Sequence, residues 1–286
     1  MPLWYQELPL HMQPVAWQLG WFSLSWYAVA YLVSLGISGW IGWKIMSSNG
    51  IRWSAEQWLD LFLAVTAGVL VGGRLGFVFL YQPAWFVAHP SQIFWPFDAT
   101  TGLWTGIAGM SFHGGLLGVG TGLWWFARVY KVNWWYLADS GVLLAPIGSF
   151  FGRLANFVNG ELSGRVTTSD WGMYFPRGGS ALRYPSQLLE AFGEGVILFG
   201  LMQYCRKRFA LGSGQLTAVY LMGYGVIRFM IEFTREPDPG VGLFFGNTLT
   251  LGQLLCLGMV ALGGGLWRYR TSSGILERSH TETYRS

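Results

Sequence analysis

The chain has 286 residues, of which 52% are hydrophobic, 17% aromatic and only 11% charged, with a formal net charge of +4. Soluble domains carry roughly 25% charged residues, so a water-soluble fold built from this composition would lack a polar surface. The length accommodates several spans of about 20 residues each, and the expected fold class is an all-α polytopic membrane protein, a single integral domain over 1–286.

Residues 1–20 lack a basic start, an apolar run and a small-residue cleavage site, so no removable signal peptide is expected. Uninterrupted hydrophobicity then predicts about seven transmembrane helices, near 22–43, 57–80, 105–127, 136–152, 187–204, 214–233 and 248–267. Basic residues set their orientation. Lys44 and Arg52 follow the first helix, Arg128 and Lys131 the third, Arg206, Lys207 and Arg208 the fifth, and Arg268, Arg270, Arg278 and Arg285 the seventh. The positive-inside rule puts these segments in the cytoplasm. The N-terminus and the 81–104 loop, free of Lys and Arg, then lie outside. Trp17, Trp21 and Trp26 on the outer side and Trp40, Trp43, Trp134 and Trp135 near the inner ends fit interfacial belts.

The longest connection, about 153–186, is rich in Gly and contains Pro176 and Pro185, which predicts a folded extracytoplasmic cap ordered by Trp171, Tyr174 and Phe175. The cytoplasmic tail, about 268–286, reads from Thr271 as a solvated, irregular end. Cys205 and Cys256 lie far apart at apolar segments and imply neither a disulfide nor a metal site.

Four constellations carry candidate chemistry. In GRLANFVNGELSGR (Gly152–Arg165), Arg153 stands at the outer end of the fourth helix, followed by Asn156, Asn159 and Glu161. One reading is a polar helix end with Glu161 paired to Arg165. The other, favoured by the density of polar groups in an apolar chain, is an anion site, since guanidinium suits bidentate binding of phosphate. In GYGVIRFMIEFTREPD (Gly223–Asp238), Arg228 and Glu232 are four apart and able to pair on one face, with Tyr224 extending the stripe and Arg235 and Glu236 at the interface. Spacing alone leaves a structural ion pair and a binding role equally open. In MSFHGG (Met110–Gly115), His113 is the histidine placed within a span; it is either a satisfied interhelical donor or a proton carrier, and Gly114 and Gly115 leave room for a neighbour or ligand. Last come the isolated Asp60, Arg74, Asp139, Glu190 and Glu194. Most read as structural partners, with Arg74 set apart. Glu190 and Glu194 form a like-charged pair on one face that is unfavourable unless cations or protons intervene. Tyr27, in SLSWYA, reads by default as a belt aromatic.

Together these segments resemble the bacterial prolipoprotein diacylglyceryl transferases. The resemblance rests on GRLANFVNGELSGR, supported by SWY near the start, GGRLGFVFLY, MSFHGG, YPSQLLE and GYGVIRFMIEFTREPD, in the family's order from about Ser25 to Leu251. It implies a bacterial cytoplasmic (inner) membrane enzyme of seven helices, N-terminus outside and C-terminus cytoplasmic, with its active site toward the outer face. The implied reaction moves the diacylglyceryl group of phosphatidylglycerol to the thiol of the lipobox cysteine of a preprolipoprotein signal peptide, as the first step of lipoprotein maturation. A thioether forms and glycerol phosphate leaves. By matching position, Arg153 and Arg228 are expected to hold the lipid phosphate and His113 to act as general base. Tyr27, Asn156, Glu161, Gly164, Tyr224, Glu232 and Arg235 also fall on family positions tied to activity or site architecture. The chain departs from the family's usual pattern at Tyr184 and Leu189. The expected partners are the two amphiphilic substrates and membrane lipids; no cofactor, metal or nucleic acid is expected, in line with the absence of Walker, dinucleotide and HExxH motifs. The competing class is a transporter or channel for an anionic amphiphile, against which stand the lack of duplicated halves and the gathering of polar residues at one membrane face.

Overall fold

A computed structural model of the chain describes residues 1–20, 22–48, 53–95, 97, 109–210, 212–236, 243–244 and 249–283. A short helix α1 (Leu3–Gln6) and two strands, β1 (Val15–Leu19) and β2 (Phe22–Ser25), precede α2 (Trp26–Ser48). Then come α3 (Ala55–Tyr81), α4 (Pro83–Ala88), α5 (Phe112–Tyr130) and α6 (Trp134–Val158). Helix α7 (Ser186–Glu190) runs through a π-helical stretch (Ala191–Ile197) into α8 (Leu198–Arg206), followed by α9 (Gln215–Ile231), the strands β3 (Leu243–Phe244) and β4 (Leu249–Thr250), and α10 (Leu251–Thr283).

Among the described residues, six segments are long and apolar enough to cross a bilayer: Trp26–Ser47, Ala55–Tyr81, Trp134–Val158, Ser186–Arg206, Gln215–Thr234 and Leu251–Ser272. The protein is a multi-pass helical membrane protein. The helix expected near 105–127 is present as α5, displaced toward Tyr130 and not among those six; residues 105–108 lie outside the described residues. The first span starts at Trp26 rather than near 22. Ser25 accepts a hydrogen bond from the Ala28 amide at 3.2 Å and so caps the helix there. At the other end, α10 continues to Thr283 where an irregular tail was expected; once a helix is nucleated, each added residue gains a hydrogen bond for the backbone freedom it loses. Residues 284–286, including Ser286, lie outside the described residues.

Two compact units are distinguished. The first joins Met1–Trp17, Leu24–Gly42 and Ala138–Ser286; the second joins Gln18–Ser23 with Trp43–Leu137.

In the second unit α3 begins at a capping box between Ser54 and Gln57 and packs along α5. Gly68, Gly72 and Gly76 face Gly114 and Gly118 so closely that a Cβ on Gly118 would run into the Gly68 carbonyl, and one on Gly114 into that of Gly72. Small residues four apart allow this approach where van der Waals contact, not water, drives helix association. The room noted at Gly114 is thus filled by α3. Arg74, set apart in the sequence, is buried near the end of α3 and donates to the carbonyls of Ile93 (2.5 Å), Gln92 (2.7 Å) and Gly109 (3.3 Å), with the Phe86 ring 4.9 Å from its guanidinium carbon. It ties the segment after α4 to the helix end. Asp60 accepts from the Tyr130 hydroxyl.

In the first unit α9 and α10 pack through Gly225 and Gly263, while Gly193 and Gly195 bring the π-helical stretch against Ile227 and Phe150. Beyond α6 the connection to α7 is folded, as expected. Phe157, Met173 and Phe175 form a buried cluster under Tyr5, Met12 and Leu188, and the Tyr174 amide bonds to the Gln6 carbonyl at 2.8 Å. Trp171, expected to help order this connection, is largely exposed. The connection begins later than 153, since α6 runs on to Val158 and closes on Gly160 at φ 64.

At the opposite end of this unit, buried Asp139 accepts from the amides of Gly212 (3.1 Å), Gly214 (2.8 Å) and Thr217 (2.9 Å) and from the Thr217 hydroxyl (2.7 Å), capping α9. Asp139→Ala leaves these donors without their acceptor, and we expect a loss of about 2–3 kcal/mol. Thermal unfolding of the detergent-solubilised protein checks it: the midpoint falls clearly, whereas Asp139→Asn, which keeps one acceptor oxygen, falls less.

Candidate active site

Three arginines and three glutamates meet within the first unit. Arg153 comes from α6, Glu190 from the end of α7, Glu194 from the π-helical stretch, Arg228 from α9, and Glu232 and Arg235 from the turn that ends α9. Glu190 sits at the centre. Its Oε2 lies 2.8 Å from Arg153 Nε, and its Oε1 lies 2.7 Å from Arg228 and 3.1 Å from Arg235. Glu194 reaches Arg153 at 3.4 Å and Arg228 at 3.5 Å. Glu232 closes the set at 2.9 Å from Arg228 and 3.5 Å from Arg235.

The like-charged pair noted in the sequence is accounted for: cations do intervene. The π-helical stretch, with its wider turn, carries Glu194 into the same cluster as Glu190. The carboxylates of Glu190 and Glu194 are 1% exposed, but Arg153 keeps 21% of its side chain accessible. The carboxylates are interior props, and the arginine side chains are the less buried partners.

Glu232 is held from a further side. Thr250 donates its hydroxyl to Glu232 Oε1 at 3.0 Å and forms a capping box with Gln253 at the start of α10. A helix N-terminus is a favourable place for a carboxylate. Tyr224, one turn before Arg228, stacks on Tyr220 and lies close enough to Glu194, Arg228 and Arg153 to feel their charges.

Beside the ion cluster runs a second polar chain. Asn156 Nδ2 donates to the Tyr27 hydroxyl at 2.6 Å and to Glu161 Oε1 at 2.8 Å. Tyr27 is therefore more than a belt aromatic. The chain turns sharply after α6, with Leu162 at φ 57, a conformation unusual outside glycine and asparagine. Two buried side chains at the start of α7 hold it: Ser186 donates to the Leu162 carbonyl at 3.1 Å and Gln187 to the Glu161 carbonyl at 2.6 Å. This brace keeps Glu161 aimed at Asn156.

The Glu161–Arg165 pair considered from the sequence does not form. Arg165 donates instead to the Arg235 carbonyl at 2.6 Å, and Glu161 has Arg177 at 3.7 Å. Gly164 bridges to Arg235 and receives the Tyr184 carbonyl at 2.9 Å on its amide. Of the two departures from the family pattern, Tyr184 contributes its backbone to this bridge, and Leu189 points outward, 39% exposed. His113 lies in the first turn of α5 in the second unit; its side chain lies outside the described residues.

The residues singled out for the lipid phosphate, Arg153 and Arg228, are thus brought together, and Tyr27, Asn156, Glu161, Gly164, Tyr224, Glu232 and Arg235 belong to the same unit. Sequence reading left Glu190 and Glu194 among isolated ionisable residues, although their spacing on an apolar helix was the signal. It missed Ser186, Gln187, Thr250 and Gln253, whose polar side chains carry no charge to mark them. Among the described residues no group of three or more His, Cys, Asp or Glu is placed to share a metal ion.

Residues 14–269 match the family of prolipoprotein diacylglyceryl transferases. The chain belongs to that family. Curated relatives named phosphatidylglycerol–prolipoprotein diacylglyceryl transferase include one from Chlorobaculum tepidum, 42% identical over 266 residues, covering 92% of this chain and 91% of the relative. One from Nitratidesulfovibrio vulgaris is 41% identical over 261 residues, covering 91% and 94%. One from Vibrio cholerae is 40% identical over 273 residues, covering 94% and 96%.

Beside the cluster, Gly164 is a steric requirement: a Cβ there would lie 2.8 Å from the Tyr184 carbonyl oxygen and against that of Thr234. Gly164→Ala should push the Arg235 segment away and lower stability by about 1–3 kcal/mol. Gly152→Ala, in the same motif with nothing within 4 Å, is the matched control and should be near silent. Thermal unfolding and lipidation activity of the two variants check this.

Proposed function

We propose that this chain is a phosphatidylglycerol–prolipoprotein diacylglyceryl transferase. A diacylglyceryl group passes from phosphatidylglycerol to the lipobox cysteine thiol of a preprolipoprotein signal peptide. Sulfur bonds to the primary carbon, the bond from that carbon to the phosphate oxygen breaks, and glycerol phosphate leaves. The observation that carries the reading is the convergence of Arg153 and Arg228 on shared buried carboxylates in a chain of this family. The relatives' names favour the transferase over a transporter of anionic amphiphiles.

Charge grows on the departing phosphate in the transition state. Two guanidiniums already oriented in a low-dielectric site stabilise it more than the same contacts in water. Glu190 and Glu232 hold those guanidiniums by short ion pairs, so little reorganisation is needed at the moment of reaction. The thiol has to lose its proton to attack; His113 is assigned as its acceptor on the family resemblance. Tyr27, Asn156 and Glu161 border the site and are assigned to substrate positioning, with Gly164, Tyr224, Glu232 and Arg235 maintaining its shape.

The chain acts as one integral domain of the bacterial cytoplasmic membrane with seven spans, N-terminus outside, C-terminus inside and the folded connection after α6 on the outer face. The Lys and Arg asymmetry supports this orientation. Cysteine placed at Ser169 should react with a membrane-impermeant reagent in intact cells, and cysteine at Ser286 only after permeabilisation. Labelling of both positions in intact cells contradicts the assigned topology.

Chemistry is tested at the arginines. Lysine keeps the charge but loses the planar fork, so Arg153→Lys and Arg228→Lys should each cut phosphatidylglycerol-dependent lipidation by about 100-fold or more, with near-normal thermal stability. Arg206→Lys should be almost silent. The readout is formation of a thioether-linked diacylglyceryl group on a lipobox peptide. Wild-type turnover by both site variants at limiting lipid would remove the phosphate assignment.

A further inference from the structure

With all six side chains ionised, the three arginines and three glutamates of the cluster sum to zero charge. A phosphodiester arriving between Arg153 and Arg228 adds one negative charge. In a membrane-embedded site that excess is unfavourable unless a carboxylate gives way and is neutralised.

The three carboxylates are not equivalent. Glu190 is clasped at 2.7–3.1 Å by all three arginines. Glu232 has Arg228 at 2.9 Å and the Thr250 hydroxyl at 3.0 Å, at the start of α10. Glu194 shares Arg153 and Arg228 but meets them only at 3.4–3.5 Å, and among the described residues its hydrogen bonds come from Arg153 alone. Its backbone has little freedom, since a Cβ on Gly193 or Gly195 would come within 2.7 Å of Ile227 or Phe150. The side-chain torsions are what can change.

We infer that Glu194 is the exchangeable carboxylate of this site: the lipid phosphate displaces it from Arg153 and Arg228, and it takes up one proton from water as it yields them. Glu190 and Glu232 meanwhile keep the guanidiniums aimed. The inference rests on the assignment of Arg153 and Arg228 to the lipid phosphate. The charged and titratable groups facing Glu194 are Arg153 from α6, Glu190 from its own helix, Tyr220, Tyr224 and Arg228 from α9, and Cys256 from α10. Arginine stays protonated, and tyrosine and cysteine are neutral near pH 7 and have no proton to gain there. Glu190 is fixed by its three short ion pairs, and Glu232 by Arg228 and the Thr250 hydroxyl. That leaves Glu194 as the acceptor.

Calorimetry of a short-chain phosphatidylglycerol binding to the full chain in detergent, in two buffers of different ionisation enthalpy, counts the protons directly. The lipid phosphodiester does not titrate between about pH 6 and pH 8, so the wild-type protein should take up about one proton per lipid, and its Kd should rise by up to about tenfold per pH unit. In Glu194→Gln, which is neutral and of the same shape, uptake should vanish, Kd should become independent of pH, and binding near pH 8 should be tighter than in the wild type. No proton uptake by the wild type overturns the inference without recourse to any variant. So does uptake that persists in Glu194→Gln, or weaker binding by that variant. Arg153→Lys and Arg228→Lys serve as the separate arm: if both bind the lipid as the wild type does, the phosphate assignment itself fails, whereas loss of binding there with no proton uptake in the wild type removes only the role of Glu194.

Discussion

Everything around the site is arranged about the two faces of the Glu190 carboxylate, one on Arg153 and the other on Arg228 and Arg235. In an apolar chain a buried carboxylate with one partner would be a net liability, because desolvation rivals the Coulomb attraction of a single pair. With three guanidiniums the group is compensated, but only if α6, α7 and the end of α9 stand in fixed positions. The packing supplies that: Gly193 and Gly195 admit Ile227 and Phe150, and Gly225 admits Val260. Each close approach narrows where a guanidinium can sit.

Such a cluster is a poor source of stability. Replacing a buried ionic network with apolar side chains is often neutral or stabilising, and breaking one member is costly. Here buried glutamates stand behind Arg153, whose side chain keeps 21% of its area accessible. The short Tyr27–Asn156–Glu161 chain adds neutral donors and an acceptor beside the charges, and Ser186 and Gln187 secure it through the backbone of a strained turn. Strain at Leu162 is held where the site borders the folded connection, as is common for residues that set functional geometry.

Asp139 and Arg74 do structural work on the backbone. Asp139 caps α9 at the opposite end of the first unit, and in the second unit Arg74 gathers backbone carbonyls of the segment that follows α4. Both satisfy main-chain groups that would otherwise be unpaired in an apolar setting. A charge within a membrane span therefore does not by itself mark chemistry; the cluster differs in pairing charge with charge.

Local patterning was enough for the membrane class, for most of the helices, for the Arg228–Glu232 pair and for the warning that Glu190 and Glu194 needed cations or protons, because apolar run length and spacing of four on a helix are properties of the chain alone. It was also enough for the family, since the motifs are read residue by residue. Helix ends escaped it: α6 continues past Arg153 to Val158, and α2 waits for the Ser25 cap. The partners of Glu190 escaped it too, because Arg153, Arg228 and Arg235 are separated from it by 37, 38 and 45 positions, and which of several buried cations meets a given carboxylate depends on how helices pack. The Glu161–Arg165 pair was plausible by proximity in sequence, yet the fold turns Arg165 to the Arg235 carbonyl and Glu161 to Asn156. Distances along a chain limit which contacts are possible; only the tertiary structure, by bringing distant backbones within hydrogen-bond reach, decides which of them form.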